Sequence, residues 1–255
     1  MKSFGVAVLI SATWIAVSTR DGGYSAAVGE VEFISQNDYM LWFLQGEDTA
    51  GQPVSTHVKE THSYSDVGDL LEVSVRLEGI DMPFEKSETI TIRRSGQVVA
   101  VDGVAVGDAE DARVDFLPRI PDSGPLSIGT SWIDTVSSGG SKPYGPTSYR
   151  AERHYEVVGT EEIDGSTTVL IVGEGTLALR QGGWQNEDQG VFWWQDVAGP
   201  VVDSVWFATE RGQLVRDITF MDLVGTGGFG NGAQEVRMDS GLRSRVDRRV
   251  QSSAK

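Results

Sequence analysis

The chain contains no cysteine in 255 residues. That single absence removes disulfides, thiolate metal sites, thiol nucleophiles and lipidated cysteines. It leaves the compartment open, because a core of this size does not need cross-links. Histidine is nearly as scarce, with only His57, His62 and His154. His57 and His62 differ in parity, so on an unbroken strand they face opposite sides and cannot share a metal. Neither a metal centre nor a cofactor is expected. No Gly-x-Ser-x-Gly elbow occurs, so nothing announces a hydrolase nucleophile. Lysine and arginine total 21 against 37 acidic residues, a formal net charge of −16. A chain this acidic is expected to stay soluble and to disfavour nucleic acid and anionic membrane as partners.

Long apolar runs are also missing, with one exception. Phe4 to Val17 is mostly apolar over 14 residues, too short to span a bilayer comfortably. Lys2 precedes it, and Ala16-Val17-Ser18 and Ser25-Ala26-Ala27 place small residues where a signal cleavage site wants them. Residues 1–27 therefore read as a signal peptide. The remainder, 28–255, reads as a single exported domain, periplasmic or secreted, with no membrane span of its own.

What the chain does have is strand pattern and turn chemistry. Tyr149, Ala151, Arg153, Tyr155 and Val157 alternate with Arg150, Glu152, His154 and Glu156, the period of a strand with one wetter face. Asp164-Gly165 suits a tight turn. Thr167 to Val172 returns as a β-branched strand, and Gly173 to Gly175 reads as a break before Leu177 and Leu179 resume. Tyr39 to Leu44 is a continuous apolar strand, and Leu71 to Glu78 alternates without error. Val54 to Tyr64 is more polar and reads as a strand near an edge. The pattern predicts an all-β protein of large curved antiparallel sheets, either a flattened barrel or a two-layer clam. Phe116 to Pro121, with prolines at 118 and 121, reads as a crossover joining halves 28–115 and 122–255. Asp102 to Asp111 lacks the spacing of a calcium loop and reads as a solvated connection. Glu60 to Gly68 echoes Glu152 to Gly159, and Ser95-Gly96-Gln97 echoes Arg211-Gly212-Gln213. These echoes make a duplicated meander a candidate architecture.

The second half carries most of the aromatic side chains that could form a site. Trp184 sits in a Gly-rich acidic stretch, and Phe192-Trp193-Trp194 and Trp206-Phe207 follow. Consecutive Trp193 and Trp194 must face opposite sides of a strand. Trp193, Trp194, Trp206 and Trp42 are the candidate ligand-binding residues, with Leu41 to Leu44 as an apolar wall. The competing use of these indoles is ordinary core packing. Carboxylates between Glu187 and Asp196, with Asp188, are the candidates for polysaccharide chemistry. Gly225-Thr226-Gly227-Gly228-Phe229-Gly230 spells G-x-G-x-x-G, but a strand-like alternation follows it rather than a helix. It reads as a flexible hairpin loop. Arg243, Arg245, Arg248 and Arg249 read together as an exposed strand face balancing an acidic molecule.

One longer pattern stands out. Leu117 to Asp134 (LPRIPDSGPLSIGTSWID) is followed by YRAERHYEVVGTEEIDG. Together they resemble the L-P-x-x-P … G-x-S-W-x-D … Y-x-V-x-G-x-E-x-x-x-G pattern of uncharacterised secreted bacterial β-rich proteins, a domain of unknown function. The resemblance covers roughly residues 115–222. It implies export and a large antiparallel sheet, brings no catalytic residues, and is similar more loosely to curved-sheet carriers of lipid or lipoprotein. The function expected is therefore an exported, non-enzymatic β protein holding a lipid or other apolar molecule between curved sheets. An all-β hydrolase or carbohydrate binder and an envelope scaffold without a small ligand stand as alternatives.

Overall fold

A computed structural model describes residues 30–45, 48–93, 96–106, 120–121, 126–163, 165–210, 213–231 and 234–251. The segment read as a signal peptide lies outside them, as do the second half of the Asp102 to Asp111 stretch and most of the Pro-containing crossover. The described chain is all β. Its strands are β1 (Glu30–Gln45), β2 (Asp48–Val67), β3 (Leu70–Gly79), β4 (Glu85–Arg93), β5 (Val98–Val101), β6 (Val104–Ala105), β7 (Ser131–Lys142), β8 (Gly145–Ile163), β9 (Ser166–Asn186), β10 (Val191–Ala208), β11 (Gln213–Gly230) and β12 (Glu235–Val250).

All twelve belong to one sheet in the order β6-β5-β4-β3-β2-β1-β12-β11-β10-β9-β8-β7. Every pairing is antiparallel. The sheet is open: β6 lies at one end of the order and β7 at the other. The barrel form of the expectation is thereby corrected. Six strands run outward from the middle, the chain crosses to the far edge, and six more run inward until β12 meets β1. The same descending order occurs twice, so the halves are stacked side by side. The echoed segments fall on corresponding strands: Glu60 to Gly68 closes β2 and Glu152 to Gly159 lies within β8, while Gly96 precedes β5 as Gln213 opens β11.

Burial alternates along nearly every strand and defines one inner face. Two apolar clusters lie on it. The first joins Phe33, Leu71, Val73, Ile90 and Ile92 to Val157, Ile171 and Val205. The second joins Val136, Ala151, Leu177, Val201, Leu223 and Leu242, all from β7 to β12. Val106 follows β6 at one edge, yet it packs against both clusters. The edge strand is therefore brought over strands far away in the order, and the sheet curves around its own inner face. That curvature is how one sheet leaves Leu71, Val73, Ile90 and Ile171 with no accessible surface. Each such side chain contributes roughly 1.5–3 kcal/mol on burial.

Three local expectations change. Gly173 to Gly175 does not break a strand: β9 runs through it. The G-x-G-x-x-G stretch is no loop; it lies in β11, paired on both sides. There a Cβ at Gly227 would crowd the Phe43 ring, and one at Gly225 would meet the Asp196 carbonyl. β2 is not an edge strand, since β1 and β3 pair with it on either side. The last strand shows no helical turn. At the predicted turns, Gly96 and Gly165 have φ of +85° and +70°, the left-handed region glycine enters without penalty.

Candidate functional site

Between the two apolar clusters the inner face carries buried polar side chains in a continuous belt. Its position follows from register. Ser35, Arg248, Asp217 and Val205 are successive cross-strand partners on β1, β12, β11 and β10. One step along the strands, Asn37, Val246, Thr219, Asp203, Gly173, Tyr155 and Trp132 run from β1 to β7. Arg153 and Asp134 are partners one step further on.

One half of the belt centres on Asp203. Arg153 Nε lies 2.9 Å from its Oδ2, and the Tyr155 hydroxyl donates to the same oxygen at 2.9 Å. Thr219 Oγ1 donates to Oδ1 at 2.7 Å, while Arg153 Nη2 donates to the Tyr149 hydroxyl at 3.2 Å. Tyr155 reaches β10 by crossing β9 at Gly173, where any Cβ would run into its ring. The glycine is a gap cut for the tyrosine. On the other side Tyr155 stacks on Trp132, with centroids 5.5 Å apart and planes at 19°.

The other half centres on Arg248, which is wholly buried. Its Nε lies 3.4 Å from Glu60 Oε1 and its Nη1 lies 3.6 Å from Asp217 Oδ1. Glu60 also faces His62, with Nε2 3.3 Å from Oε2. The His62 ring is within 3.1 Å of the Tyr64 hydroxyl and packs against Phe33. Burial alone would raise the Glu60 pKa, but Arg248 and His62 outweigh it and hold the carboxyl below its ordinary range. Taking ions out of water costs several kcal/mol each, repaid only where opposite charges meet. Arg248 spans β1 to reach Glu60 on β2, so this pairing fastens the first meander to the second.

Burial falls away toward the far end of β1. Asn37, Tyr39 and Leu41 are partly exposed on the inner face, beside Phe43, whose ring lies 5.1 Å from that of Phe229. Trp193 is the cross-strand partner of Phe229 and shares this rim. The partial burial of Tyr39 raises its phenol pKa.

Of the four tryptophans expected to form a site, only Trp193 faces inward. Trp42, Trp194 and Trp206 occupy the opposite parity and the outer, convex face. Trp42 lies against Gly241, and Trp194 is covered by Arg237, 5.5 Å from its ring. Trp206 lies under Arg216 and donates to Glu161 Oε2 at 2.8 Å. One cavity cannot be lined by all four. Glu187 and Asp188 are exposed in the β9–β10 turn, and Asp196 pairs with Arg180 on the convex face at 3.7 Å. The structure does not gather these carboxylates across a cleft. Trp184 belongs to β9, edge-on to Tyr144 and Phe192, rather than to a loop. The arginine group also divides: Arg243, Arg245 and Arg249 are exposed, while Arg248 points into the belt.

The convex face of the first meander holds a polar trough of about 450 Å³, floored by Thr61, Ser63, Ser74, Ser87 and Thr89. The pairs Lys59–Glu32 at 2.6 Å and Arg76–Glu78 at 2.7 Å flank it. His57 and Asp81 form a close hydrogen-bonded pair nearby on the surface. Among the described residues no group of three or more His, Asp or Glu is placed to hold a metal ion.

No family model matches the chain. No curated protein matches it in sequence either. Among solved structures it is similar to a DUF1329 family protein from Desulfovibrio piger ATCC 29098, at 10% identity over 87% of each chain and a TM-score of 0.16. A likeness that slight carries no argument.

Proposed function

We propose that the protein is an exported binding protein for an amphipathic molecule taken up on the concave face. The observation that supports it is the arrangement of that face: two apolar clusters divided by a buried belt of hydrogen-bonding and charged groups. Apolar surface on both sides of a polar band suits a ligand with chains and a polar head. The partly exposed Tyr39, Leu41 and Phe229, beside the buried Trp193, form the rim that is the place of entry in this reading. Deeper in, Phe33, Leu71, Val73, Ile90 and Ile171 have no accessible surface, so loading among them requires the open sheet to widen. Native mass spectrometry of the exported chain, Val28 to Lys255, beside its denatured mass tests the reading. Extra mass lost on denaturation, with a lipid in the organic extract, supports it. A bare mass that persists after incubation with a lipid panel overturns it.

A second reading rests on the trough. Five hydroxyls between charged pairs suit a polyhydroxylated ligand, and oligosaccharide binding abolished by Ser74→Val would favour that face over the concave one.

A further inference from the structure

The convex face of β11 and β12 contains an arrangement that neither stability nor the concave-face reading requires. Arg216 and Arg249 are direct cross-strand partners, a like-charge pairing that ordinarily destabilises a sheet. Arg245 joins them, and all three guanidinium groups converge on one carboxylate. Arg216 holds Asp247 through two bonds, Nε to Oδ1 at 3.1 Å and Nη2 to Oδ2 at 2.7 Å. Arg249 and Arg245 stand farther off, at 3.5 and 3.6 Å from Oδ2. Asp247 is nearly covered, while the side chains of Arg245 and Arg249 are 55% and 64% exposed. Neither has another ion-pair partner among the described residues. Arg216 is steadied from below by the Trp206 ring, 5.3 Å from its Cζ.

A surface that needed only an ion pair would place one arginine beside Asp247. Here three surround it, leaving two positive charges in excess in a chain whose total is −16. Asp38, the cross-strand partner of Arg245, is the next nearest acid by register and is held by the Gln36 amide at 3.0 Å. We propose that Arg216, Arg245 and Arg249 form a binding site for a dianionic tetrahedral oxyanion, a phosphate group of the monoester type. The cluster's positive excess, two charges over Asp247 and one once Asp38 is counted, attracts the charge of about −1.5 to −2 that such a group carries near neutral pH. The guanidinium forks supply the charge-assisted donors its oxygens accept. Asp247 acts as the post that aims the forks; the anion sits on their solvent side. The chemistry is shared by inorganic phosphate and by the headgroup of a phosphate-monoester lipid.

The test is calorimetric titration of the full chain with inorganic phosphate at pH 8 and constant ionic strength, beside sedimentation with phosphatidylcholine vesicles, with and without phosphatidic acid. The Arg245→Gln/Arg249→Gln protein is the probe. Arg237→Gln is the control, because Arg237 is also exposed on β12 but lies at its other end. Saturable phosphate binding, weakened about tenfold or more in the double variant and unchanged in the control, assigns the site to the free anion. Vesicle binding that needs phosphatidic acid and is lost in the double variant assigns it to the lipid headgroup. The proposal is overturned if neither probe binds. It is equally overturned if the double variant binds as the parent does, or if chloride at matched ionic strength competes as well as phosphate.

Discussion

Arg248 and Arg249 are neighbours in the chain and share almost nothing else. Arg248 is wholly buried, set between Glu60 and Asp217 where the two meanders join. Arg249 is 64% exposed and faces Arg216 across the strand pair. One belongs to the belt that divides the apolar core, the other to a cluster of like charges on the outer surface. The difference teaches that on a sheet with one buried face, the parity of a charge decides its role more than its place in a run of charges.

The largest effect expected is at the buried member. Arg248→Met removes the buried cation that Glu60 and Asp217 share, and should cost about 3–5 kcal/mol in denaturant unfolding. Arg249→Met, one residue away, should change stability by no more than about 0.5 kcal/mol. Similar losses at the two positions would erase the distinction between the faces. A smaller effect is expected on the belt's other half. Gly173→Ala forces the Tyr155 ring off β9 and should destabilise by about 1–3 kcal/mol, as overpacking does. The companion Tyr155→Leu/Gly173→Ala protein should recover part of that loss, because the ring that clashed is gone. Additive losses in the double variant would show that the glycine serves some other purpose.

How much of this could be read from the chain depends on the range of the interactions. Alternation in Tyr149 to Val157 and Leu71 to Glu78 gave the strands and their faces, and the opposite orientations of Trp193 and Trp194 follow from the same periodicity. Arg248 was separable from Arg243, Arg245 and Arg249 by parity, but adjacency grouped them as one charged face. β2 reads as a strand near an edge because Glu60 and His62 are polar residues on its buried side, so both faces look wet. Only its pairing with β1 and β3 shows otherwise. The glycines of β9 and β11 misled for a similar reason. Within a short window glycine reads as a break, and its use here is set by rings arriving from other strands, Tyr155 at Gly173 and Phe43 at Gly227. The expected tryptophan site spread over both faces because indole is equally suited to a ligand wall and to packing. The belt itself joins β1, β2, β7, β8, β10, β11 and β12, and no local pattern carries that register.

The absence of cysteine makes the central claim, that the concave face is the one that binds, directly testable. Leu41 and Met40 are adjacent on β1, both partly buried, with Leu41 on the concave side and Met40 on the convex side. Single-cysteine proteins, Leu41→Cys and Met40→Cys, can be labelled with a thiol reagent before and after loading with the lipid that native mass spectrometry identifies, or with a lipid panel. Slower labelling at position 41 on loading, with position 40 unchanged, is the result predicted. Equal protection at both positions, or protection at 40 alone, would contradict it.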